Sequence, residues 1–157
     1  MALFGTDGVR GVAGVDLTEE LAHDLAVAAT HVLTDLGEFA GHKPKAVIAQ
    51  DSRESGAYLE EAIAKGLSES GVDVIRVGIL PTPAVSYLVT ELRADLGVMI
   101  SASHNPATDN GIKFFARDGR KLADSVEAQV EAQLGKPWKS NGNRGVISFD
   151  ESARESY

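Results

Sequence analysis

Residues 96–106 read LGVMISASHNP, and the fold class turns on how that stretch divides. Leu96 to Ile100 is a fully apolar run of strand length, and the polar turn Ser101-Ala102-Ser103-His104-Asn105-Pro106 follows it directly. An apolar run of this length reads as a strand, and ligands of open α/β sheets gather at the carboxyl ends of the strands. Short polar residues closed by Pro106 make a fixed turn from which one hydroxyl is presented at a defined angle. His104 beside Ser103 is able to donate to a phosphate or help move a proton. The same composition also suits a turn whose hydroxyls only cap the backbone.

Working outward, Lys45 to Gln50 (KAVIAQ), Val72 to Val77 and Gly111 to Phe115 read as further strands. Helical spacing separates them. Thr18 caps a helix carrying Glu19 and Glu20 in its first turn, with Leu17, Leu21, Leu25, Val32 and Leu36 recurring on one face until Gly37. A second helix presents Leu59, Ala62, Ile63 and Leu67 and ends at Gly71. Pro81-Thr82-Pro83 breaks the chain, and a third helix carries Pro83 in its first turn and runs to about Leu92. Asp118-Gly119 is a hairpin-type turn signal, and Asp124 or Ser125 caps a last helix through Leu134. Alternating helices and short strands predict a layered α/β domain with a mostly parallel, mixed sheet flanked by helices. The texture changes at Gly135. Residues 1–135 are therefore expected to form the α/β domain, and residues 136–157 a linker and the start of a following domain.

Composition bounds the function. Among 157 residues, 43% are hydrophobic and 24% charged, a globular profile, and the absence of cysteine excludes disulfides and thiolate metal sites. A net charge of −8 makes nucleic acid a poor partner, whereas a few converging cations still suffice for an anionic small molecule. No basic-then-apolar leader opens the sequence and no apolar run has membrane length, so a cytoplasmic protein is expected.

The second motif is FGTDGVRG at residues 4–11. Its glycines allow close approach of the backbone to a ligand, and Arg10 is suited to clamp an anionic oxygen; a plain N-terminal loop is the other reading. The spacing fits neither the dinucleotide fingerprint nor the P-loop. Arg53, just past a strand in Asp51-Ser52-Arg53, and Lys113, ten residues after Ser103, are cations near the same edge. His23 and His31 lie in the first helix without ligand spacing and His42 lies in a loop. No aspartate pair has DxD spacing, so no self-contained magnesium site is visible.

Together FGTDGVRG at 4–11, PTPA at 81–84 and GVMISASHNPATDNGIKFF at 97–115 resemble the α-D-phosphohexomutases, in register to about Leu134. The opening motif tips the resemblance toward the phosphoglucosamine mutase branch. It implies the first domain of the phosphohexomutase fold, with Ser103 carrying a transferable phosphoryl group between the 6- and 1-positions of a hexosamine through a bisphosphate intermediate. It further implies Arg10, His104 and Lys113 around that phosphate, Lys113 as proton acceptor, and Arg53 as a support of the loop. Mg2+ would touch the phosphate on Ser103, and a glucosamine 1,6-bisphosphate-type primer would start the cycle. The implied partners are a hexosamine phosphate, the remaining domains of the same enzyme and a second copy in a homodimer. The family's metal loop (DGDxDR-type) and sugar-selecting loop (GExSG-type) do not occur in these residues. Little or no mutase activity is expected of the chain alone. A phosphoglucomutase or phosphomannomutase domain, or a free-standing phosphosugar- or partner-binding domain, is the alternative.

Overall fold

The computed structural model describes residues 3–5, 8–102, 105–138 and 143–156, with Arg154 and Ser156 described by backbone alone. Its elements in chain order are β1 (Val9–Val12), α1 (Glu19–Asp35), β2 (Lys45–Gln50), α2 (Gly56–Glu69), β3 (Asp73–Ile79), α3 (Thr82–Glu91), β4 (Leu96–Ile100), β5 (Asp109–Ala116), α4 (Asp124–Gln133), β6 (Ile147–Phe149) and the short α5 (Ala153–Ser156). The strands form one sheet in the order β1-β5-β4-β2-β3-β6. Pairings β4/β2, β2/β3 and β3/β6 are parallel, while β1/β5 and β5/β4 are antiparallel. The expected mixed, mostly parallel sheet is the one observed.

Side-chain alternation divides the core in two. Ile48, Val98, Ile100, Ile112 and Phe114 face α1, α2 and α4, whereas Val47, Ala49, Met99 and Phe115 face α3. β4 is buried along its whole length because it is covered on both faces, as its uninterrupted apolar sequence requires. Burial of a side chain such as Leu59 or Ile63 in this core contributes about 2 kcal/mol.

Local signals explain most boundaries. The Thr18 hydroxyl accepts from Leu21 N at 3.1 Å and starts α1. Three expectations are corrected. Leu36 is not on the buried face of α1; it is the C-cap residue and 47% exposed. Neither Asp124 nor Ser125 caps α4: the extended residue before the first turn is Ala123, and the Asp124 carboxylate instead accepts from Lys121 Nζ at 3.2 Å. The glycine-rich opening contains a strand, β1, which pairs with β5 from Val9↔Ile112 to Val12↔Asp109.

The tail joins the same sheet. Gly145 N donates to Ser68 O and Ser68 Oγ donates back to Gly145 O, at 2.8 and 2.6 Å. A side chain at Gly145 would meet Val72 O at 1.8 Å, so only glycine lets the tail lie this close. β6 then adds to β3 in parallel register, and Ala153 reaches the core on the α3 side. Before it, Trp138 stacks on His31 at 5.0 Å between ring centroids.

At the amino edge of the sheet, Asp95 gathers three segments. Its carboxylate accepts from His42 Nε2 at 2.6 Å, from Lys45 N at 2.9 Å and from Arg117 Nη2 at 3.2 Å. The hydrogen bond to Asp95 holds the His42 imidazole above its ordinary pKa. No helix among the described residues is long and apolar enough to cross a membrane.

Candidate functional site

The carboxyl edge is where the sequence motifs converge. β2 ends in the turn 51–55, β4 ends in the loop that begins at Ser101, and β5 starts at Asp109. Asp51 N donates to Ile100 O and Ser101 N donates to Gly111 O, both at 3.0 Å, so turn and loop leave the sheet side by side. Further along, Asn105 N donates to Ala102 O (3.1 Å) and Asp109 N to Pro106 O (2.9 Å).

Arg53 lies under this loop. Its Nη1 donates to Pro106 O at 2.6 Å and Asp109 O at 3.2 Å, and its Nη2 donates to Asn105 O at 3.0 Å. Asp51 orients it from both sides. One carboxylate oxygen accepts from Arg53 N at 3.0 Å, an Asx-turn bond, and the other accepts from Nε at 3.1 Å. The Arg53 side chain is only 11% exposed.

Arg10 reaches the loop from the opposite side. Its partner in the β1–β5 register is Gly111, and Nη1 lies 3.4 Å from Asn105 Oδ1. A side chain at Gly111 would stand 2.6 Å from Ser101 O and 3.0 Å from Arg10 Cγ, so glycine makes room for both. Asn105 Nδ2 also donates to Asp109 Oδ2 at 3.3 Å. Asn110 completes the bracing: Nδ2 donates to Ser55 Oγ and Oδ1 accepts from Gly111 N, both at 2.8 Å.

Of the residues singled out in the sequence, Arg10 and Arg53 are brought together at Asn105. Lys113 shares a sheet face with Arg10 but is not gathered with them. Its ammonium lies 5.5 Å from the Phe115 ring centroid, along β5 and away from the loop. Ser103 and His104 lie outside the described residues. Asp51, Asn105 and Asn110 were not singled out as site residues. The Asp51–Arg53 spacing of an Asx turn was the available signal for the first, and Asn110 carries none, being a buried asparagine recognisable only from its partners.

The carboxyl edge therefore presents a short polar loop, a backing arginine and a flanking arginine, an arrangement suited to holding an anionic group at the loop. Residues 1–140 match the model of the family described as phosphoglucomutase/phosphomannomutase, alpha/beta/alpha domain I. The chain belongs to this family. A phosphoglucosamine mutase of Acidothermus cellulolyticus is 63% identical over 136 residues, covering 87% of this chain and 30% of that relative. One from Cutibacterium acnes is 56% identical over 157 residues, covering 99% of this chain and 35% of the relative. The X-ray structure of a phosphoglucomutase/phosphomannomutase family protein from Burkholderia thailandensis superposes with a TM-score of 0.81 at 25% identity, covering 99% of this chain and 35% of that one. The chain thus spans about a third of the length of the relatives it matches.

Phosphohexomutases are generally magnesium-dependent, which makes the donor set at the loop worth testing. Two described carboxylates at the loop are already engaged, Asp51 with Arg53 and Asp109 with Asn105. Among the described residues no group of three acidic or histidine side chains is placed to hold a metal ion. These residues do not form a magnesium cage by themselves.

Proposed function

We propose that this chain is the phosphoserine-bearing first domain of a phosphoglucosamine mutase, which interconverts glucosamine 6-phosphate and glucosamine 1-phosphate. The observation that carries the reading is identity of 56% over 157 residues to a phosphoglucosamine mutase. The braced polar loop at the sheet's carboxyl edge supports it.

Ser103 is the phosphoryl carrier in this reading. The bond between phosphorus and Ser103 Oγ breaks as a bond forms from phosphorus to a sugar hydroxyl oxygen, giving a bisphosphorylated sugar. The hydroxyl proton passes to a base, a role assigned to Lys113, whose Nζ must first turn from Phe115. Transfer of the other phosphoryl group back to Ser103 Oγ then releases the isomerised monophosphate. The chemistry asks for positioning and for cations around the phosphoryl oxygens. Arg10 and His104 supply part of that charge here. A magnesium ion held by ligands of a further domain would supply more positive charge at the Ser103 phosphate.

Residues 136–157 lead toward that further domain while lending β6 to this one. A bisphosphate sugar primes Ser103, a hexosamine phosphate is the substrate, and the enzyme works in the cytoplasm, as a homodimer by family likeness. The 157-residue chain alone has little or no mutase activity.

The test is Ser103→Ala in the longer enzyme that carries this domain, assayed on glucosamine 6-phosphate. Loss of at least about 1000-fold in kcat, together with loss of the bisphosphate-derived label from the protein, is expected for removal of a covalent nucleophile. Activity retained by the alanine variant refutes the assignment. Competition between glucosamine 1-phosphate and glucose or mannose 1-phosphate separates the phosphoglucomutase/phosphomannomutase reading, whose name the matching family model bears.

A further inference from the structure

We propose that Arg53 is a positioning residue of the phosphoryl-transfer loop, acting on the serine through the backbone of the loop and not by contact with substrate. The proposal rests on the mutase reading for its catalytic consequence and on the geometry alone for its structural one.

Three carbonyl oxygens of the loop, from Asn105, Pro106 and Asp109, turn toward a single point. None of these three bonds is a rung of the sheet, and inward-turned carbonyls must find donors. A guanidinium answers that need. Its donors are coplanar in a fixed fork, and the charge strengthens each bond. Asp51 sets the angle of the fork through Nε and closes the turn on which it stands. A surface ion pair would leave a long side chain in water, whereas this one is 11% exposed.

The effect propagates along the loop. Asn105, whose carbonyl Arg53 holds, places its own side chain against Arg10 and Asp109. Its backbone N–H bonds Ala102 O, so the two residues that flank positions 103 and 104 in sequence are tied to each other. Asp51, Arg53 and Asn105 thus form a series in which each group fixes the next. The series ends at Arg10, a residue assigned to the phosphate. Misplacing a reacting group by about 1 Å costs on the order of 100-fold in rate. Arg53 therefore bears on turnover more than on substrate affinity.

The test has two readouts. In the 157-residue chain, amide hydrogen exchange is measured for the native sequence, Arg53→Ala and Arg53→Lys. Exchange at Asn105 and Asp109 is expected to quicken by about tenfold or more in both variants, with β2 as protected as before. In the longer enzyme, Arg53→Lys is expected to lower kcat by about 100-fold with KM for glucosamine 6-phosphate within about twofold. Native exchange at Asn105 and Asp109 overturns the proposal, and so does a raised KM with kcat kept. Should Arg53→Ala fail to fold, Arg53→Lys decides alone. Quickened exchange in a chain whose longer native enzyme turns over no hexose phosphate leaves the loop assignment standing and removes the mutase reading instead.

Discussion

The two edges of the sheet use the same ingredients in opposite ways. At the amino edge the centre is an anion, Asp95, which draws donors from His42, Lys45 and Arg117. At the carboxyl edge the centre is a cation, Arg53, which sends donors to the backbone of one loop while Asp51 only orients it. A buried carboxylate that collects donors from three separate segments ties the fold together. An arginine that reads successive carbonyls of one segment gives that segment a shape. The first arrangement serves stability and the second serves the loop.

Substitutions at each edge should separate these roles. The largest effect on stability is expected from Asp95→Ala, which removes the 8%-exposed acceptor shared by His42 Nε2, Lys45 N and Arg117 Nη2 and costs roughly 3 kcal/mol in a urea melt. Protection of the 105–109 loop below the global transition should stay native, and early loss of it would erase the division. Gly111→Ala at the other edge forces a methyl against Ser101 O and Arg10 Cγ. A cost of about 2 kcal/mol is expected, accompanied by altered exchange at Ser101 and Asn105. Thr18→Ala removes a cap that belongs to neither network and calibrates the scale at about 1 kcal/mol.

The smallest effect is electrostatic. Because the folded state holds His42 above its ordinary value of 6.5, its contribution is complete below that value and fades as pH rises through the raised one. The urea midpoint should fall slightly on going from about pH 6 to about pH 8, by little because the imidazole is half-exposed and screened. His42→Gln should abolish that part of the slope. A slope that persists in the variant assigns it to other groups.

Legibility in the sequence followed the range of the forces. β2 and β4 could be bounded to the residue because burial on both faces writes an unbroken apolar run. α1 and α3 announced themselves through Thr18 and Pro83. β1 and β6 were not visible, since each is short and its only cause is a partner strand distant in the chain. β6 even points Ile147 and Phe149 into solvent, at 44% and 57% exposure, so its brief alternation Ile147-Ser148-Phe149 marks no core face. At the site, residue types located Arg10 and Arg53, but the direction taken by the Lys113 ammonium depends on Phe115 two residues on. Asn110 was hidden because its bonds to Ser55 and Gly111 exist only once turn and loop have met.

The parallel addition of β6 to β3 has a consequence for biosynthesis. Val74 waits for Ile147, on the order of 70 residues later in translation, to complete its edge. During that interval a nascent chain with the other strands already paired shows an open row of N–H and C=O groups along β3, the template on which foreign strands align. Ribosomal pausing before Phe149 clears the exit tunnel should therefore prolong the hazard. Gly145, by letting the tail dock against Val72 without a collision, is what allows that edge to be closed.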